Sequence, residues 1–319
     1  MNNIFIFEAA NIAAKSILKV MAVHPKPGLT TPLDINALDG VNYNQKLEAC
    51  MALIPCFINC VSIGIETAEL KPEDAFTILK PALSTGEQGA LLASKGAVRL
   101  RGEIFLLGLL CAAAGRLKAQ KLNLTRMALT LTASSFVRGI CERELFNHPS
   151  ARWASPLTGA TGTCLPCKDH EVTEECNNDE DIKTPGQRAY LRFGIEGLRG
   201  EAEHGYSLSL RAAGLLSNIK DTHGHLNFRE LALHALIYII AENGGDTCIA
   251  AHNGIDKLIC SQNEARNILN NLSEFSLTSL EDVSKLDKYF RKFGISPRGS
   301  EIILESALCI MGLSGYELK

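Results

Sequence analysis

Apolar residues recur along this chain at three- and four-residue spacings, the pattern of helices that bury one face. Ala10, Ala13, Ile17 and Met21 mark a first amphipathic helix. Phe228, Leu231, Ala232, Ala235, Leu236 and Ile239 repeat the pattern behind Asn227. Glu230 stands where a capping box would close two free backbone N–H groups. Ser261-Gln-Asn-Glu264 and Thr278-Ser-Leu-Glu281 have the same capping form and predict two more helix starts. The first is followed by Ala265, Ile268, Leu269 and Leu272, the second by Leu280, Val283, Leu286 and Phe290. Ser296-Pro297 opens a last helix, because proline is tolerated in a first helical turn. The apolar run Ile104–Gly115 is twelve residues long, short of the roughly twenty that span a bilayer, and predicts a buried helix. No strand-like alternation is bounded by hairpin turns, so the expected fold is all-α.

The pattern breaks from 147 to 185. Pro149, Pro156, Gly159, Gly162 and Pro166, followed by the acidic run from Asp169 to Asp181, resist regular packing. They predict a long surface loop within a single helical domain spanning 1–319. Cys164, Cys167, His170 and Cys176 place four soft ligands in that loop. They suit a structural zinc ion, but their spacing matches no standard finger, and loop cysteines without metal are the alternative.

Charge and cysteine usage narrow the function classes. Lys plus Arg is 32 and Asp plus Glu is 35, a net charge of -3, which provides no basic field for nucleic acid or anionic lipid. The eleven cysteines are odd in number, and Cys56, Cys60, Cys111 and Cys309 lie in apolar stretches. The N-terminal MNNIFIFEAAN has no Lys or Arg before its apolar patch. Reduced thiols and a cytoplasmic setting are expected.

Phe193–Gly205 carries glycines at 194, 197, 200 and 205 beside Arg199, Glu201 and Glu203. Glycine costs a helix roughly 1 kcal/mol against alanine, so backbone here approaches a ligand or another helix closely. One cation and two carboxylates beside thin backbone suit phosphate contact together with metal or acid–base work. Helical geometry would set Arg199 against Glu203, with Glu201 on another side. In Pro25-Lys26-Pro27-Gly28-Leu29, a rigid turn either presents Lys26 or simply ends the first helix. Asp246, after Gly245, caps the next helix or binds a cation.

In their order along the chain these segments resemble the triphosphoribosyl-dephospho-CoA synthase family. The resemblance runs from the PKPGL turn through Glu87 and Gly102-x-Ile104-Phe105-x-x-Gly108-Leu109-Leu110 to Tyr190–Gly205. It continues through Gly245-Asp246-Thr247 to Leu286-Asp-x-Tyr-Phe and Ile295-Ser-Pro-x-Gly-Ser300. It implies an all-α enzyme that moves the triphosphoribosyl group of ATP to 3'-dephospho-CoA and releases adenine. The product is the prosthetic-group precursor for an acyl carrier protein of citrate lyase or malonate decarboxylase. By resemblance, Glu87, Glu201 and Glu203 are the catalytic carboxylates. Asp246 and Glu201 would meet the Mg2+ that accompanies ATP, and Lys26, Arg199 and Arg101 would meet the phosphates. Elsewhere the chain departs from the family pattern. Thr31, Leu38 and Gly40 stand at three polar positions, Val98-Arg99-Leu100 replaces Asn-Thr-His while Arg101 keeps a positive charge, and Cys248 and Ile302 replace an Asn and an Asp. These replacements frame the alternative of a catalytically impaired homologue that serves as a nucleotide- or protein-binding scaffold.

Overall fold

The apolar periods become helices in the computed structural model, which describes residues 2–34, 41–146, 184–272, 277–316 and 318. Among the described residues there are fourteen α-helices, one π-helical turn and no strand, so the fold is all-α as expected. The first half comprises α1 (Asn2–Met21), α2 (Tyr43–Met51), α3 (Ile54–Glu66), α4 (Pro72–Ala93), α5 (Arg101–Ala119), α6 (Arg126–Phe136) and the π-helical turn Glu142–Phe146. The second half comprises α7 (Pro185–Phe193), α8 (Gly197–Glu203), α9 (Ser207–Thr222), α10 (Phe228–Glu242), α11 (Thr247–Asn253), α12 (Ile255–Asn270), α13 (Leu280–Phe293) and α14 (Arg298–Leu313). Leu38, Gly40 and the cysteine-bearing stretch with Cys164, Cys167, His170 and Cys176 lie outside the described residues.

Caps explain the boundaries, with two corrections to the expected starts. Asn227 and Glu230 form the anticipated capping box. Ser261 lies inside α12, where its hydroxyl donates to the Lys257 carbonyl. That helix starts at Ile255, because the apolar period extends one and a half turns further back than the Ser-x-x-Glu motif suggested. At α13 the cap is Ser279 rather than Thr278, whose hydroxyl instead pairs with His234. The run 104–115 is buried throughout most of α5. By length and composition alone, Tyr43–Glu66 is long and apolar enough to cross a membrane, but it is broken between α2 and α3, and α3 packs along α5.

Two apolar clusters form the interior. One joins α1, α3, α5 and α6; the other joins α9, α10, α12 and α13. Helix α14 belongs to both, with Ile302, Cys309 and Ile310 on the first side and Ile303, Leu304 and Ala307 on the second. A helix buried on all sides is the axis of such a bundle. The closest approach is between α3 and α5: a methyl at Gly64 would strike the Ala112 carbonyl, and one at Gly115 the Val61 carbonyl. Backbone cannot yield as a side-chain tip can. Gly64→Ala is therefore expected to force the helices apart at a cost of about 1–3 kcal/mol, read as a lower urea midpoint with unchanged helical content.

Candidate active site

The segments singled out in the sequence meet around the N-terminal half of α14. Gly28 has φ +64°, and a methyl there would strike the Ile295 carbonyl, so only glycine lets the PKPGL turn lie on the α13–α14 junction. The Gly28 N–H donates to Asp287 of α13 at 2.9 Å. A methyl at Gly102 would press on Ile302 of α14 and Leu198 of α8. Gly197 packs on Thr247, which follows Asp246. What the thin backbone admits at these positions is protein.

This convergence encloses a set of charges. Glu301 of α14 accepts from Lys26 Nζ at 2.6 Å and from Lys46 Nζ of α2 at 2.7 Å, and all three side chains are at most 5% exposed. Burial opposes the Glu301 charge, but the two ammoniums overcome it and hold the carboxyl well below the usual carboxylate range. Burial likewise opposes the charge on Lys46, and Glu301 outweighs it and keeps that ammonium above the ordinary lysine value. Lys26 receives the same carboxylate, yet its burial and the neighbouring Lys46 prevail and push it below that value. The short contacts to both lysines hold Glu301 in its ionised form. One turn further along α14, Glu305 is fully buried and neither carboxyl oxygen has a hydrogen-bond partner among the described residues. Burial, with Glu103 and Glu301 beside it, pushes Glu305 well above the carboxylate range. Buried Glu103 faces Arg298 at 3.5 Å, an ion pair without hydrogen-bond alignment.

The acidic residues named from the sequence serve largely as anchors. Asp246 is fully buried and caps α11. Its Oδ1 faces the Cys248, Ile249 and Gly299 N–H groups, and its Oδ2 accepts from the Ser300 N–H and hydroxyl, both at 2.9 Å. Two donors from α11 and three from α14 bind the helices together through this buried carboxylate. Glu201 accepts from the Ser209 N–H and hydroxyl, both at 2.8 Å, at the start of α9. Glu203 accepts from the Gly139 and Cys141 N–H groups. Burial opposes its charge, but those backbone donors prevail and lower its pKa. The expected Arg199–Glu203 pair does not form, because each side chain reaches a different neighbour.

Arg199 instead donates to Glu144 at 2.9 Å, and Lys80 of α4 faces the same carboxylate at 3.5 Å. Glu87 accepts from Arg101 Nε at 2.5 Å and Arg99 Nη1 at 3.1 Å. These groups lie at the surface, whereas Lys26 does not. Among the described residues, no three His, Cys, Asp or Glu side chains are arranged to hold a metal ion. Asp246 and Glu201, the expected pair, are turned to separate backbone donors. Lys46, Glu103, Glu301, Glu305, Lys80 and Glu144 were not anticipated. One signal was available: Glu301 and Glu305 stand four apart in an otherwise apolar helix, which sets two carboxylates on one buried face.

A family model described as ATP:dephospho-CoA triphosphoribosyl transferase (CitG) matches residues 6–317. A probable 2-(5''-triphosphoribosyl)-3'-dephosphocoenzyme-A synthase of Citrobacter koseri is 30% identical over 303 residues, which cover 92% of this chain and 87% of that protein. No solved structure matches the chain.

Proposed function

Because the chain belongs to the ATP:dephospho-CoA triphosphoribosyl transferase family, we propose that it transfers the triphosphoribosyl group of ATP to a ribose hydroxyl of 3'-dephospho-CoA and releases adenine. The observation that carries this reading is the meeting of the PKPGL, Gly102, Arg199–Glu203, Asp246 and Ser296–Ser300 segments around α14 in a chain matched from end to end by the family. The scaffold alternative is not favoured by so extensive a match.

The reaction breaks the bond between the anomeric carbon and adenine and forms one to the acceptor hydroxyl, which gives up a proton. Charge builds on the sugar carbon, so carboxylates beside it and cations on the triphosphate stabilise the transition state. Arg101 and Arg199, both reaching the surface, are the cations proposed for the phosphates; Arg101 pairs with Glu87 and Arg199 with Glu144. Glu201 and Glu203 act as positioning residues: by anchoring α8 at both faces they aim Arg199 outward. MgATP enters as substrate, and no step is assigned to a metal held by the protein. The eight described cysteines are free thiols, which supports a reducing, cytoplasmic setting.

Chromatography of the purified protein with MgATP and 3'-dephospho-CoA is expected to show free adenine equal to product formed. Adenine from ATP alone would indicate hydrolysis, and none from the complete mixture would reject the transferase reading.

A further inference from the structure

Glu87 and Glu144 are the centres of two clusters that close into one ring. Each carboxylate holds two cations: Arg99 and Arg101 at Glu87, Lys80 and Arg199 at Glu144. On one side the clusters are joined by α4, which carries both Lys80 and Glu87. Seven residues are close to two full turns, so these side chains share a face about 10 Å apart. On the other side they are joined where the Leu198 side chain packs on Gly102, which brings the helix bearing Arg199 against the start of the helix bearing Arg101. Four cations therefore surround a surface patch that contains two carboxylates. The side chains of Lys80, Arg99 and Arg101 are 55%, 56% and 47% exposed.

We infer that this ring seats a linear polyphosphate ester, with Lys80 and Arg99 as binding residues alongside Arg101 and Arg199, and with Glu87 and Glu144 as intramolecular stand-ins that the phosphates displace. Each carboxylate sits where two cationic donors converge, the arrangement in which a phosphate oxygen is also held. The two excess positive charges favour a multiply charged anion over the carboxylates, which are themselves part-exposed, 24% at Glu87 and 34% at Glu144, and so have solvent to swing into. Both substrates of the proposed reaction carry such a chain, the triphosphate of ATP and the pyrophosphate of 3'-dephospho-CoA. In naming the ligand this inference rests on that reading, but the anion seat itself can be tested without catalysis.

Inorganic tripolyphosphate is the first probe, titrated calorimetrically into the full chain without magnesium. The Lys80→Met/Arg99→Met double variant is expected to bind at least about tenfold more weakly, since it loses two charge-assisted contacts. Glu144→Gln is expected to bind more tightly, because a competing anion is gone, and all affinities should fall with salt. Circular dichroism and urea midpoints near wild type would show that the exposed substitutions leave the fold intact. Unchanged affinity in the double variant, or weaker binding in Glu144→Gln, would overturn the seat. Displacement of tripolyphosphate by ATP alone identifies the donor's triphosphate as the natural occupant, and displacement by 3'-dephospho-CoA alone identifies the acceptor's pyrophosphate. Displacement by neither would refute the proposal. If wild type releases no adenine but the double variant loses tripolyphosphate, the seat stands and the transferase reading fails. If adenine release proceeds with the same KM in the double variant, the transferase reading stands and the seat fails.

Discussion

Glu301→Gln is expected to lower folding stability by about 3–5 kcal/mol, the range found when one member of a buried ion pair is removed. The carboxylate pairs with both Lys26 and Lys46 at hydrogen-bond distance, 2.6 and 2.7 Å. Glutamine keeps the shape but leaves two ammoniums in the interior without their counter-ion, and Glu305, one turn along, hydrogen-bonds to neither of them. Urea unfolding at pH 7 measures the loss. Adding Lys26→Met to Glu301→Gln should recover part of it, since one of the stranded charges is then gone. A midpoint equal to wild type for Glu301→Gln would mean that these lysines find water in solution, contrary to their burial. The pH dependence has a definite sign. The folded-state pKa of Glu301 lies below its unfolded value. Its contribution is therefore fully present above the ordinary glutamate value, roughly pH 4.3, and is lost as pH falls.

The opposite result is expected one turn along the same helix, where Glu305→Leu should stabilise the protein at pH 8. An unpartnered polar group held in the interior costs about 1–3 kcal/mol, and leucine of similar size removes that cost while packing against the surrounding apolar residues. Here the folded-state pKa is raised, so the native state binds the extra proton. This group's contribution is complete below roughly pH 4.3 and declines as pH rises, because the unfolded chain ionises freely while the folded one cannot. Wild type should accordingly lose stability from mildly acidic to alkaline pH, with a flatter profile in Glu305→Leu. A destabilised leucine variant with the wild-type pH slope would show that Glu305 is partnered in solution. If the variant is more stable yet releases no adenine, the carboxyl is retained for the reaction at the expense of stability.

The two carboxylates show where sequence reading stops. Both lie within the expected last helix, and their spacing places them on one face of it. Nothing in the spacing tells that Glu301 meets Lys26 across 275 positions of chain while Glu305 meets no partner. The polar residues near Arg199 illustrate the same limit. Helical geometry correctly separated Glu201 from Arg199, but paired Arg199 with Glu203 because the backbone N–H groups of Gly139 and Cys141 were not in view. Asp246 was legible as a cap or a ligand, and only the approach of Gly299 and Ser300 turned its second oxygen inward.

By itself the amino-acid sequence determined the all-α class, most helix positions and the family. Helix period and caps act over a few residues, and motif order survives without knowledge of contacts. Only the tertiary structure decided which named groups reach solvent and which are spent in holding helices together. It buried Lys26, made anchors of Asp246, Glu201 and Glu203, and brought Lys80 and Arg199 to Glu144 and Arg99 and Arg101 to Glu87. The physical reason is that a side chain's charge and reach are local properties. Its partner and its exposure depend on how helices distant in sequence pack, and here that packing turns on close approaches such as Gly28 on Ile295 and Gly64 on Ala112.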